Sequence, residues 1–162
     1  MANNTIVQWH NSYSIGIKLV DDQHKELIKL TNRLFVSCMG GVEKTRNTFL
    51  DVIHEAVDYV VYHFGTEEKL MERIKYPEFS RHKKEHEAFV REVFNKVQEY
   101  KGGKTLAPLL FVYFLRDWVL DHIAMSDKKM GNYILHLHKS GELQKITLRV
   151  KTDETTNRVQ IK

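Results

Sequence analysis

Several residue types are scarce in this sequence, and each scarcity excludes a class of protein. Among 162 residues there is one cysteine, Cys38, which excludes an internal disulfide and fits a reducing compartment. Two prolines and eight glycines suit long, uninterrupted helices. No apolar run is long enough to cross a bilayer, and the start MANNTIVQWH lacks the basic and apolar regions of a secretory signal. A cytoplasmic protein without a membrane partner is expected.

Net positive charge is scarce outside the C-terminal region. The net charge is +4, and residues 136–162 carry six lysines and arginines against three acidic residues, which accounts for +3 of that total. The first 135 residues are therefore nearly neutral, with both signs mixed along the chain. Because phosphate binding needs a concentrated basic surface, no nucleic-acid partner is expected.

Apolar residues recur at helical spacing over four long stretches. These run from about Asp21 to Cys38, Arg46 to Ile74, Glu78 to Tyr100 and Thr105 to Leu135. Asp21 or Asp22 is expected to cap the first helix, and Pro77 to separate the second from the third. The pattern predicts an all-α protein in which residues 1–135 form an up-down-up-down four-helix bundle, with the N-terminal residues packed across it as an arm.

Residues 136–162 have a different pattern and are assigned to a C-terminal extension. Apolar and polar residues alternate in ITLRV, the turn-forming stretch TDETTN follows, and alternation resumes in VQI. Such period-two patterning predicts a β-hairpin, although a disordered basic extension fits the composition equally well. Deletion of residues 140–162 is expected to leave the function of residues 1–135 intact and to affect at most the oligomeric state.

Titratable side chains lie on the apolar stripes of all four predicted helices. They are His24, His63, Glu67, His82, His86, His122 and Asp127. A single histidine in such a position is usually a hydrogen-bonded core residue. Seven such groups without partners, however, would cost more than the roughly 5–15 kcal/mol by which a domain is stable. Metal cations in the core would convert that cost into coordination.

The donor types restrict which metals fit. Without thiolates, structural zinc and iron–sulfur clusters are disfavoured, whereas imidazole with carboxylate suits iron, copper, nickel or zinc. Two octahedral ions offer about twelve positions. Five imidazoles, two bridging carboxylates and a shared oxo or hydroxo group fill about eleven of them, which leaves one for a small exogenous ligand.

Several segments carry a resemblance to a known family. They are GIKLVDDQHKELIKLTN at 16–32, HFGTEE at 63–68, YPEFSRHKKEH at 76–86 and WVLDHIAMSD at 118–127. Together they resemble the hemerythrins, which are non-haem di-iron oxygen-binding proteins, and are most similar to the bacterial ones over about residues 5–135. The resemblance implies two non-haem irons joined by an oxo or hydroxo bridge. It assigns His82, His86 and His122 to one iron, His24 and His63 to the other, and Glu67 and Asp127 to both.

The function implied by the resemblance is reversible dioxygen binding, for oxygen transport or storage, and not catalysis. In the family an apolar pocket keeps water from the bound oxygen, and Trp118, Leu120 and Ile123 are the candidates for it here. Oxygen or nitric oxide sensing or scavenging at the same site is the alternative, which the sequence leaves open, as it does a homo-oligomeric state. Ferritin-like oxidases are disfavoured because no glutamate lies three residues before any histidine.

The last helix contains a spacing that an ideal α-helix does not explain. His122 and Asp127 are five residues apart, which places them roughly 140° apart around the helix axis. A widened turn, as in a π-bulge, would bring both side chains to the same face; the alternative is that the short Asp127 side chain approaches from a flanking position. The sequence therefore predicts a distortion between residues 122 and 127.

Overall fold

The computed structural model describes residues 5–39, 42–102 and 107–144, with the side chains of 42–47 left out. These residues contain helices and no strand, which confirms the all-α prediction. The elements are a 3₁₀ turn at Asn11–Tyr13, α1 at Lys18–Ser37, α2 at Val42–Arg73, α3 at Phe79–Lys101, α4 at Pro108–His122, a π-helical turn at Ile123–Asp127, and α5 at Lys128–Lys139. Because α4, the π-helical turn and α5 are continuous, the described part of the chain has four long helical segments.

The start of α1 corrects one expectation. Neither Asp21 nor Asp22 caps this helix, which begins three residues earlier, after Ile17. Asp21 is instead buried in the first turn, where its carboxylate accepts hydrogen bonds from the Ser14 hydroxyl at 2.6 Å and from the Ile15 N–H at 2.8 Å. The carboxylate therefore fixes the preceding chain against α1, where an anion also complements the helix dipole.

The other helix ends follow local chemistry. Between α2 and α3, Lys75 has a positive φ of 53° and Pro77 follows it, so the chain leaves the helix and starts again two residues after the proline. Pro108 lies in the first turn of α4, where its missing N–H has no helical partner to lose. The last helical segment ends at Lys139, four residues beyond the expected position.

The described apolar side chains form three clusters, and a polar layer lies between the two larger ones. One cluster includes Phe49, Phe89 and Phe111; the other includes Met71 and Met130. On each helical segment the inward-facing histidines and carboxylates lie in sequence between members of these two clusters. The polar layer is thus enclosed by apolar packing on both sides.

Each helical segment contacts its neighbours around this layer. Helix α1 packs on α2 and α4, and α2 packs on α3. Helices α3 and α4 meet through the stacked rings of Phe89 and Trp118, whose centroids are 3.8 Å apart. All four segments can therefore present side chains to one enclosed volume.

The N-terminal arm packs on the helices, as predicted. The Asn32 side chain accepts hydrogen bonds from the N–H groups of Ile6 and Val7 and donates to the Val7 carbonyl. Ile15 is 2% exposed. It lies against Gly131 of α5, where a Cβ atom would come within 2.5 Å of the Ile15 carbonyl oxygen. Only a glycine permits this approach of arm and helix.

The beginning of the C-terminal extension also contacts the helices. Leu143 is 9% exposed and belongs to the cluster around Met71 and Met130. The predicted hairpin in residues 146–161 lies outside the described residues. Among the described helices, none combines the length and the apolarity needed to cross a membrane.

Candidate metal centre

The structure brings all seven titratable residues singled out in the sequence into one buried site. Each of them is at most 7% exposed, and Glu67 and Asp127 have no exposed surface. The helices contribute His24 from α1, His63 and Glu67 from α2, His82 and His86 from α3, His122 from α4 and Asp127 from the π-helical turn. Other histidines stay outside this site, including His10, His54, His136 and His138.

The donor atoms form two groups that share both carboxylates. The five-donor group consists of Glu67, His82, His86, His122 and Asp127. The four-donor group consists of His24, His63, Glu67 and Asp127. Within each group one donor atom per residue lies within 4.8 Å of all the others. Two cations could therefore be held side by side, one in each group.

Glu67 presents one oxygen to each group. Its Oε1 lies 3.7 Å from His24 Nε2 and 3.6 Å from His63 Nε2, in the four-donor group. Its Oε2 lies 3.7 Å from His82 Nε2 and 3.3 Å from His86 Nε2, in the five-donor group. This orientation is the one a carboxylate needs to bridge two cations.

The two carboxylate oxygens of Asp127 are divided between the two donor groups in the same way. Its Oδ1 lies 3.1 Å from His82 Nε2 and 3.2 Å from His122 Nε2, while its Oδ2 lies 3.2 Å from His24 Nε2. The π-helical turn makes this possible. Its Lys128 N–H donates to the Ile123 carbonyl, an i→i+5 bond that widens the turn and confirms the predicted distortion.

The hydrogen bonding of the site is incomplete in a way that fits cations. Seven buried side-chain atoms have no hydrogen-bond partner among the described residues: both ring nitrogens of His24, Nδ1 of His82, and both oxygens of Glu67 and of Asp127. In the five-donor group, His122 Nε2 lies 3.0 Å from the Nε2 atoms of His82 and His86. These nitrogens and the carboxylate oxygens therefore converge on common points. Cations at those points would satisfy them, so the residues fit a pair of metal ions.

The close approach of imidazoles and carboxylates in the site shifts their pKa values. Burial acts to raise the pKa of Glu67, but the surrounding imidazoles, His63 foremost, hold it well below the ordinary value. The pKa of Asp127 is likewise lowered, although burial and the charge of Glu67 oppose the shift. Burial acts to lower the pKa of His24 and His82, yet the two carboxylates outweigh it and raise both values to about 9. Both carboxylates are thus anionic at neutral pH.

The outer nitrogens of three imidazoles have partners that the sequence interpretation missed. His86 Nδ1 lies 3.2 Å from Glu68 Oε1 and His122 Nδ1 lies 3.5 Å from Glu85 Oε2, both in the five-donor group. In the four-donor group, His63 Nδ1 lies 3.0 Å from the Gln23 amide oxygen. Such partners orient a metal-binding imidazole and increase its basicity, and a carboxylate does so more strongly than an amide.

Aromatic rings also hold two imidazoles of the five-donor group. Phe64 stacks on His86 with a centroid separation of 3.7 Å and an interplanar angle of 4°. Trp118 stacks on His122 at 4.4 Å and 13°. Because these rings fix the planes of the imidazoles, the nitrogen positions are set before any cation binds.

A small apolar cavity, the site cavity, adjoins both groups. Its volume is about 10 Å³, enough for one molecule about the size of water. It is lined by Leu27, Val60, His63, Phe64, Phe89, Trp118, Val119, His122, Ile123 and Asp127. The predicted pocket residues Trp118 and Ile123 are among them. Leu120 is not: Val119 takes its place because successive helical residues point about 100° apart.

Comparisons with known proteins agree with this geometry. A family model described as the hemerythrin HHE cation binding domain matches residues 15–134. A bacteriohemerythrin of Stenotrophomonas maltophilia is 31% identical over 135 residues, which cover 83% of this chain and 86% of that protein. One of Pseudomonas aeruginosa is 34% identical over 129 residues, covering 79% and 81%. The crystal structure of wild-type hemerythrin matches with a TM-score of 0.73 at 28% identity, covering 79% of this chain and 97% of that one.

Proposed function

The chain belongs to the hemerythrin family, and on that premise we propose that it binds dioxygen reversibly at its non-haem di-iron centre, for oxygen transport or storage. The observation that carries this proposal is the inequality of the two donor groups beside an apolar cavity. Three imidazoles serve one group and two serve the other, while both share Glu67 and Asp127. One coordination position is then left for a small ligand.

We propose the following ligand assignment. His82, His86 and His122 hold one iron, His24 and His63 hold the other, and the two carboxylates bridge them. The division of the carboxylate oxygens between the groups supports the bridging roles. When bound, the iron pair supplies two electrons that dioxygen takes up and gives back.

The remaining chemistry belongs to the surroundings of the site. The walls of the site cavity are mostly hydrocarbon, which disfavours bulk water and the protons it would deliver. Leu27, Val119 and Ile123 are each at most 7% exposed, so they separate the cavity from solvent. Reversibility requires this exclusion, because protons that reached the site would let the two-electron-reduced oxygen leave as hydrogen peroxide and would leave the iron pair oxidised.

The scaffold is part of the proposal. We propose that the four helical segments form an up-down-up-down bundle and that residues 1–135 supply the functional unit, with residues 136–162 as an extension and a homo-oligomer as a possible assembly. The described contacts of α1 with α2 and α4, and of α2 with α3, support this arrangement.

The test is an oxygenation cycle followed by visible absorption. Reduced, iron-loaded protein should gain a visible band in oxygen, lose it under argon, and regain it on a second exposure, with one dioxygen taken up and released per chain. The His63→Ala variant should lose the reversible band, whereas His136→Ala, which changes an exposed histidine outside the site, should keep it. Consumption of oxygen without its return would replace the carrier role with scavenging. Absence of any band would refute oxygen binding.

A further inference from the structure

A second and larger cavity lies between α2 and α3 and is called here the lateral cavity. Its volume is about 350 Å³, within the range of small-molecule sites. Its walls are mostly aliphatic and aromatic side chains from all four helical segments. They are Leu34, Ile53, Ala56, Val57, Val60, Phe89, Val90, Val93, Phe94, Val97, Phe111, Leu115 and Val119, and the polar residues His54, Asp58, Gln98 and Lys101 complete the lining.

The lateral cavity shares a wall with the site cavity. Val60, Phe89 and Val119 line both. Phe89 is also stacked on Trp118, which in turn is stacked on His122 of the five-donor group. A molecule in the lateral cavity would therefore contact side chains that also line the site cavity next to the metal centre.

Polar groups are concentrated at one end of the lateral cavity. The exposed ammonium of Lys101, at the end of α3, donates to His54 Nε2 of α2 at 3.1 Å. An ammonium has three donors, and this contact uses one. Gln98 lies one helical turn before Lys101. These groups suit an anionic or hydrogen-bond-accepting head, whereas Asp58, one turn along α2 from His54, disfavours an anion nearer the apolar end.

The distance between the polar and apolar ends sets the length of the ligand. His54 and Val60 are six residues apart on α2, which corresponds to a rise of about 9 Å. An extended alkyl chain of about eight carbons has this length. The lateral cavity thus has the length, the apolar wall and the cationic end that a chain with one charged head requires.

We propose that the lateral cavity binds a monocarboxylate with an alkyl chain of about eight to ten carbons. Its carboxylate accepts hydrogen bonds from Lys101 and Gln98, and its chain extends along α2 to Val60 and Val119. Binding itself needs no iron. Its consequence for the metal centre rests on the proposed oxygen binding: a filled cavity restrains the shared wall, limits water access, and slows autoxidation of the oxygenated protein.

Isothermal titration calorimetry of the iron-loaded full chain with decanoate tests the site. One molecule per chain should bind. Butyrate, six methylene groups shorter, should bind at least about a hundredfold more weakly. Lys101→Gln should weaken decanoate binding about threefold, the modest effect of an exposed charge, and Asp58→Asn should strengthen it. Lys84→Gln, which removes an exposed lysine of α3 outside the cavity, should change nothing.

Variants that fill the lateral cavity test whether decanoate binds there. Val57→Phe and Val90→Phe each add a ring to the wall and should abolish decanoate binding while the iron content stays at the wild-type level. If one of these variants loses iron, decanoate binding to the other variant is the deciding measurement. Saturable binding of equal affinity in a filled, iron-loaded variant would overturn the proposal, as would the absence of saturable binding to the wild type.

The link to the metal centre has a separate readout. Decanoate at saturation should slow the decay of the visible band of the oxygenated wild type by at least about twofold, through exclusion of water, and should have no effect in Val57→Phe. An unchanged rate with decanoate bound would refute the coupling. A protein that never forms the reversible band would refute the proposed oxygen binding, and the calorimetric result would still decide whether the carboxylate site exists.

Discussion

The two halves of the metal centre are built from the same carboxylates but are not equivalent. The five-donor group has three imidazoles, of which two lie beside carboxylates and two are stacked on aromatic rings. The four-donor group has two imidazoles, of which His63 is held by the amide of Gln23. This difference supports the proposal that the five-donor half retains its cation firmly and that the four-donor half leaves a position for exchange.

His24 shows the contrast most clearly. It is fully buried, yet neither of its ring nitrogens has a hydrogen-bond partner in the part of the chain that the structure describes. Its ring lies edge-on to His63 at a centroid distance of 4.9 Å. By comparison, His86 and His122 each have a partner at Nδ1 and a stacked ring. The orientation of His24 is therefore the one that depends most on the cation itself.

The largest effect is expected where the two halves meet. Glu67→Ala removes an oxygen from each group and leaves the imidazoles around uncompensated cations, a change of the kind that costs about 3–5 kcal/mol. Metal analysis after desalting should find less than about one iron per chain. Glu72→Ala, an exposed acidic residue of the same helix, serves as the control. Retention of two irons by Glu67→Ala would show that this carboxylate is not a bridge.

Removing one imidazole from each half should give unequal results. His63→Ala leaves the four-donor group with one imidazole and two carboxylates, so about one iron per chain is expected. His122→Ala leaves the five-donor group with the donors that the other half normally has, so about two irons should remain. Iron analysis of both variants, loaded in parallel, makes the comparison. Equal losses would contradict the inequality of the two groups.

Smaller effects are expected from the partners of the imidazoles. Glu68→Gln keeps the size of the side chain but removes the charge beside His86, and it should weaken iron binding in the five-donor group by about 10- to 100-fold. Gln23→Glu does the reverse beside His63 and should strengthen binding in the four-donor group. Competition with a chelator measures both. Unchanged affinity in Glu68→Gln would mean that His86 is oriented by Phe64 alone.

The smallest effect concerns the metal-free protein, where each half contains one histidine with a raised pKa. His24 and His82 have pKa values of about 9 against an ordinary 6.5, so their protonated forms stabilise the fold below pH 6.5. That stability should be lost as the pH rises through 9, by an amount on the order of 1 kcal/mol because both histidines share the same carboxylates.

Urea unfolding of metal-free and iron-loaded protein at pH 6.5 and pH 9.5 tests this point. The metal-free protein should be less stable at the higher pH. The iron-loaded protein should lack this loss, since its imidazoles are deprotonated already. Higher stability of the metal-free form at pH 9.5 than at pH 6.5 would contradict the predicted direction of the change in the free energy of unfolding.

The sequence contained enough to predict that seven titratable side chains meet in the core and that one turn widens. Polar groups such as His82 and Glu67 stand out because they interrupt apolar stripes at helical spacing. The widened turn was predictable because His122 and Asp127, roughly 140° apart around the helix axis, cannot share one face of a regular α-helix. Both predictions depend only on the period of a single helix.

What the sequence did not reveal depends on contacts between helices. Glu68, Glu85 and Gln23 occupy positions that look like ordinary helix surface, and their proximity to imidazoles follows from helix packing. The sequence predicts Leu120 at the site cavity, where Val119 lies instead. An error of one residue in assigning the inward face of a helix corresponds to a rotation of about 100°. The lateral cavity is likewise a space left between side chains of different helices, which no pattern within one helix records.

The central claim is that seven side chains hold two irons in unequal surroundings. Its most direct test is Mössbauer spectroscopy of the oxygenated protein loaded with ⁵⁷Fe, combined with iron analysis. The predicted result is two irons per chain and two components of equal area, one for the iron with three imidazoles and one for the iron with two imidazoles and the exchangeable position. One iron per chain, or a single component from two equivalent irons, would contradict the account.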